Sequence, residues 1–160
     1  MSPRSNWFFA LLIMASALIV CVSLVLAPRA RANDQEAHAI RHAMKSAFDR
    51  PEARLEVGPV AIEQDAAIAG WSQQEMGGRA FLRKRKGEWV IVLCSGDQLK
   101  SAERLVSAGL SKTHAAALAA KLAAAERGVP LSRLALFAKF DGLVQVDGHH
   151  EHQAPKPQNH

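Results

Sequence analysis

The chain has 160 residues, with 20 Lys and Arg against 15 Asp and Glu for a formal charge of +5, and 49% hydrophobic residues. That length accommodates one ordinary domain and excludes a large multidomain enzyme. A charged fraction of 22% beside this apolar content excludes a wholly disordered chain.

Residues 1–32 read as a secretory leader. Trp7–Ala27 is an uncharged apolar run, and Ala30-Arg31-Ala32 puts small side chains at the two positions a signal peptidase requires. The run is also long enough to span a bilayer, so an uncleaved anchor is the competing reading. Either route places the remainder in the periplasm, free or anchored to the inner membrane, with membrane contact only in the anchored case. Removing the leader takes away Arg4, Arg29 and Arg31, which leaves 128 residues with 17 basic and 15 acidic side chains, a net +2. That balance gives no basis for nucleic-acid binding. It also takes away Cys21, so Cys94 has no partner for an intramolecular disulfide.

Past the leader, Asp34–Asp49 predicts a helix. Ile40, Ala43, Met44, Ala47 and Phe48 form one apolar face, Asn33 or Asp34 caps it, and Pro51 stops it. Four strand patterns follow, at Arg54–Glu63 (interrupted by Gly58-Pro59), Ala66–Ser72, Arg79–Lys86 and Trp89–Cys94. Gly77-Gly78 and Lys86-Gly87-Glu88 are the expected turns, and turns this short imply an antiparallel meander. Helices are expected over Gln98–Ser107, capped by Ser95 or Asp97, over Lys112–Arg127, capped by Ser111, and over Leu131–Phe140, with Pro130 at its start. Leu143–Val146 is a candidate last strand. From Asp147 the sequence is polar and carries prolines, a composition that predicts disorder. The expected fold class is therefore α+β: an N-terminal helix, a three- to four-stranded antiparallel meander, then two to three helices, in one domain over 33–146 with a disordered tail over 147–160. That element order is shared with cystatin-like and nuclear-transport-factor-2-like layouts, an analogy of order alone.

Four landmarks carry a resemblance: Phe48-Asp49-Arg50-Pro51-Glu52, Ile68-Ala69-Gly70-Trp71, Gly77-Gly78-Arg79-Ala80 and Val92-Leu93-Cys94-Ser95-Gly96-Asp97. With them, residues 39–97 resemble the bacterial copper uptake system-associated proteins, and a weaker likeness continues through Ala135-Leu136-Phe137 to about residue 147. The resemblance implies a small exported protein in the setting of copper uptake, with a periplasmic copper chaperone or an outer-membrane copper receptor as partner. It implies no catalytic residues.

The densest chemistry lies in the tail, where His149, His150 and His152 flank Glu151 and His160 follows. Imidazoles this close together can wrap one Cu(II), Zn(II) or Ni(II) ion. A flexible ligand set loses entropy on ordering, so its binding is modest and unselective. His38 and His42 share a helix face and can hold an ion between them, although Arg41 and Lys45 flank the pair and a solvated face is the plainer reading. Cys94 ends an apolar strand. A thiolate there suits Cu(I), with Met76 or Met44 as thioether partner, and simple burial is the plainer reading. His114 reads as surface beside a helix cap. Arg79, Arg83, Lys84, Arg85 and Lys86 read as one basic hairpin, either solvated or facing an acidic partner or anionic lipid. Trp71 and Trp89 read as core. A concave sheet with a pocket lined by Trp71, Phe81 and Met76 is the expectation for the alternative, a small-ligand or protein-interaction module. No nucleophile elbow, phosphate loop, paired-His zinc helix or CxxC occurs, so a non-enzymatic protein is expected.

Overall fold

A strand with one apolar face needs one covering layer, and a strand apolar on both faces needs two. The second strand here is of the latter kind, and the architecture follows from it. The computed structural model describes residues 31–146. The first helix, α1, runs through residues 31–48. Four strands form a continuous antiparallel meander: β1 (Glu56–Glu63), β2 (Ala66–Gln73), β3 (Met76–Arg85) and β4 (Glu88–Ser95). A 3-10 turn (Asp97–Lys100) leads to α2 (Ala102–Ser107), α3 (Lys112–Glu126) and α4 (Leu131–Ala138). The chain then returns to add β5 (Leu143–Gln145) antiparallel to β4, so the strand order is β1-β2-β3-β4-β5. The fold is α+β, and the candidate last strand is the fifth member of its sheet.

Side-chain alternation separates two cores. On one face Ala61, Ile68, Phe81 and Leu93 pack with Leu99, Leu105, Leu118 and Leu122 from the 3-10 turn, α2 and α3. On the other, Ala67, Ala69, Ala80, Leu82 and Ile91 pack with Ile40 and Met44 from α1. Helices thus cover both faces of the sheet, rather than roofing one concave side. Ala66, Ala67, Ile68 and Ala69 are all fully buried, and the small volume of the three alanines lets both layers approach the sheet closely.

Several local readings need correction. Gly77-Gly78 is no turn: both residues lie inside β3, and the chain reverses at Gln74-Glu75, with Gln74 in the left-handed region at φ 55°. The two glycines answer close approach instead. A Cβ on Gly77 would lie 2.9 Å from Leu136 Cβ, and one on Gly78 3.0 Å from Trp71 Cζ2. Helix α1 already runs through residues 33 and 34, so neither Asn33 nor Asp34 caps it at the positions expected. The expected Gln98–Ser107 helix is split, because Ser101 leaves the helical path and its hydroxyl accepts from Arg104 N, capping α2 in place of Ser95 or Asp97. Ser111 caps α3 as expected, accepting from His114 N at 3.3 Å.

The largest departure concerns Arg79. It does not belong to an exposed basic hairpin, since its side chain is only 1% exposed. Its Nε and Nη2 donate to Glu126 Oε1 and Oε2 at 2.6 and 3.0 Å, and its Nη1 donates to Asp97 Oδ1 at 2.9 Å. The guanidinium carbon sits 5.5 Å from the centroid of the buried Phe137 ring. Glu126 ends the stripe Ala115, Leu118, Leu122, Glu126, so one face of α3 is apolar until it reaches the cation. The rest of the hairpin is surface: Arg83 pairs with Asp65 at 2.8 Å, and Lys84 lies over the Trp89 ring.

Removing one member of a buried pair strands the other, at a cost of about 3–5 kcal/mol. Arg79→Ala should destabilise the fold by that order in urea titration. The double variant Arg79→Met/Glu126→Leu should recover most of the loss, because it leaves no buried charge behind.

Candidate functional site

An apolar cavity of about 180 Å³ lies on the α1 face of the sheet. It forms where cover by α1 ends and cover by the C-terminal segment begins. Helix α1 supplies Met44 and Phe48, β2 supplies Trp71 and Gln73, β4 supplies Cys94, and the chain after α4 supplies Phe140, Val144 and Val146. Trp71 and Phe140 meet edge to face, with ring centroids 5.6 Å apart.

Polar groups at the cavity edge are largely committed. Gln73 Nε2 donates to Phe48 O at 3.0 Å and to Ala53 O at 2.7 Å, pinning the chain between α1 and β1. Asp49 Oδ1 accepts from Leu55 N at 2.6 Å and its Oδ2 pairs with Arg54 at 3.0 Å. The Leu55 N–H first, and then Arg54, hold the Asp49 carboxyl below its ordinary range against a partial desolvation. Trp71 Nε1 is buried and has no hydrogen-bond partner among the described residues.

Cys94 is a free thiol, 8% exposed, paired across the strands with Val144 of β5. Burial pushes its pKa up to about 11, so the thiol is neutral at physiological pH. Met44, 1% exposed, lines the same cavity. The fold therefore brings together two of the soft donors singled out from the sequence and separates the third, for Met76 is 60% exposed at the start of β3 and lines no part of this cavity. Phe81 is likewise absent from it, being buried in the α2–α3 core, so of the three residues expected to line a ligand pocket only Trp71 does so. Trp89 is core as expected, while Trp71 is half-buried.

His38 and His42 are exposed on α1, and His42 Nδ1 lies 3.5 Å from Ser46 Oγ. His149, His150, His152 and His160 lie outside the described residues. Among the described residues no group of three or more His, Cys, Asp or Glu side chains is arranged to hold a metal. His114 is more than surface beside a cap. Its Nδ1 lies 3.0 Å from Glu63 Oε1, while Lys121 Nζ bonds Glu63 Oε2 at 2.8 Å. Lys121 and then His114 hold the Glu63 carboxyl below its ordinary range. The stability lent by Asp49 and Glu63 is thus present above their unfolded-state range and is lost as pH falls. Among the described residues no helix is long and apolar enough to cross a membrane.

No protein-family model, curated protein sequence or solved structure matches the chain.

The Cys94 thiol gives an alkaline signature. Its pKa rises from 9.0 in an unfolded chain to about 11 in the fold. The unfolded state therefore releases its proton first, and stability falls as pH climbs between those values, by roughly 2–3 kcal/mol for this group. Chemical denaturation across that range should show the slope, and Cys94→Ala should flatten it. Alkylation of Cys94 by iodoacetamide should be slow in the native protein and fast in denaturant.

Proposed function

We propose that the chain is an exported, non-enzymatic accessory of bacterial copper uptake, which takes Cu(I) at Cys94 and Met44 and gathers divalent ions on its His-rich tail. The observation that carries this reading is that Cys94 and Met44 line one apolar cavity whose wall also includes Val146, the residue immediately before the His-bearing stretch. Cu(I) prefers thiolate and thioether donors. On binding it displaces the thiol proton, so the product is a neutral copper–thiolate unit. An apolar wall that resists a bare thiolate tolerates that neutral pair. The Met44 thioether adds a second soft donor without adding charge. His149 is three residues beyond Val146, within roughly 11 Å by chain length, so the tail can meet an ion at the cavity mouth. In this reading the ion passes to or from a periplasmic chaperone or an outer-membrane receptor, with the copper as cargo.

The buried indole N–H of Trp71 favours a second reading, a small apolar ligand that carries one hydrogen-bond acceptor and occupies the same cavity. One set of experiments separates the two. The chain should compete with a colorimetric chelator for one equivalent of Cu(I) in the absence of oxygen. Cys94→Ser should weaken that binding at least about tenfold, and Met44→Leu less. Cutting after Asp147 should abolish Cu(II) and Zn(II) binding while leaving most of the Cu(I) affinity. Absence of Cu(I) binding, together with displacement of an apolar dye by short-chain ketones, would transfer the cavity to the second reading.

A further inference from the structure

The sequence contains two Asp-Gly pairs, Asp141-Gly142 and Asp147-Gly148, and they stand on either side of β5. The second pair lies outside the described residues. Asp141 and Gly142 belong to no helix or strand, and both are exposed. Gly142 has a φ of +97°, in the region that glycine adopts most readily, and its N–H has no backbone partner among the described residues. Its carbonyl is held, because Ser95 Oγ donates to Gly142 O at 2.8 Å. The chain on either side is seated as well. Phe140 and Val144 both line the apolar cavity, and Val144 pairs with Cys94. Gly96 lies so close beneath the first of them that a Cβ there would stand 2.7 Å from Phe140 O. The link between two cavity-wall residues therefore has little slack, and its Asp-Gly bond stands open to water.

We propose that Asp141 is a modification site, at which spontaneous isomerisation to isoaspartate releases β5 from Cys94. The Gly142 nitrogen attacks the Asp141 side-chain carboxyl carbon. The nitrogen's proton and one carboxyl oxygen leave in a molecule of water, and a five-membered succinimide remains. With no Cβ beside it, the glycine nitrogen meets the least steric resistance to this attack. Water then adds to the ring at the former backbone carbonyl carbon and breaks that carbon's bond to the Gly142 nitrogen. The water lost is regained, so mass and charge return to their starting values. The main chain now runs through the Asp141 side chain and is one methylene longer. Phe140 and Val144 cannot both keep their seats across a longer link, and Gly142 O is carried away from Ser95. A strand of three residues at a sheet edge has few other bonds to hold it. The modification acts as a slow, one-way timer on that strand and is independent of copper handling.

The test ages the full chain at physiological pH and temperature under argon, with a parallel sample in guanidinium chloride. Digestion and electron-transfer fragmentation then assign isoaspartate to position 141 or 147. The native chain should accumulate isoaspartate at 141 at a rate comparable with that of the denatured chain. Formation at 141 in denaturant but not in the native fold overturns the proposal. The isoaspartate-141 form, separated by chromatography, should react with iodoacetamide at Cys94 at least about tenfold faster than the unmodified form, the effect of losing one hydrogen bond together with the strand's register. Equal alkylation rates in the two forms overturn the release of β5. Asp141→Glu keeps the charge at an exposed position but cannot close the five-membered ring. It should form no isoaspartate at 141, and its Cys94 should stay slow to alkylate through the same ageing. A rise in Cys94 reactivity in aged Asp141→Glu equal to that of the aged parent also overturns the proposal, because the release would then come from elsewhere.

Discussion

A cation held out of water inside a sheet has to be answered from within the protein, and the requirements of Arg79 set much of the molecule around it. Its three nitrogens engage a carboxylate at the end of α3 and another at the start of the 3-10 turn, and its flat face meets Phe137 of α4. One side chain on β3 thereby fixes the register of α3, the point where the chain leaves β4, and the seat of α4. Such a group adds little net stability, because the desolvation of the charges consumes most of what their attraction returns. Its effect is selective. A slip of α3 by one turn would bring an apolar residue to the guanidinium and leave Glu126 unanswered.

The second determinant is volume. The alanines of β2 and the glycines at 70, 77 and 78 remove bulk from the middle of the sheet, so that Phe137, Leu136 and Phe140 can lie against its backbone. A Cβ on Gly70 would stand 2.7 Å from Phe137 Cε2. Large side chains then return at the margins, where Trp71 and Phe140 meet across the end of the sheet. Between the close-packed centre and these bulky margins the α1 face is incompletely filled, and the cavity holding Cys94 and Met44 is the remainder.

The elements were legible in the sequence because their periods are local. Ile40 and Met44 announce one helical face, the unbroken run Trp89–Cys94 announces an inner strand, and Leu143–Val146 keeps strand character despite its brevity. Burial of Cys94 was legible for the same reason, in the apolar residues that precede it. The misreadings share a cause. Arg79 stands near a run of exposed cations and resembles them until Glu126, 47 residues later, is seen to meet it. Gly77-Gly78 has the composition of a turn, and only the packing of Leu136 and Phe140 explains it as strand. His114 finds Glu63 across 51 residues. The cavity was illegible in principle, since Met44, Cys94 and Val146 are drawn from three distant parts of the chain. The expected pocket of Trp71, Phe81 and Met76 took neighbours in sequence for neighbours in space.

The brevity of β5 bears on how anything reaches the cavity. The strand has only three residues, stands at the edge of the sheet, and leaves Val144 half exposed. It is held by its pairing with Leu93, Cys94 and Ser95, by Val146 N donating to Val92 O at 2.9 Å, and by Ser95 Oγ donating to Gly142 O at 2.8 Å. Protein stability is graded along a structure, and a short edge strand detaches at far less cost than a meander covered on both faces. Val144 and Val146 form part of the cavity wall, so fraying of this one strand would uncover Cys94 while α1, the meander and the Arg79 cluster stay in place. Exchange between the cavity and solvent would then follow the rate at which a short edge strand peels from its sheet, on a timescale separate from that of unfolding.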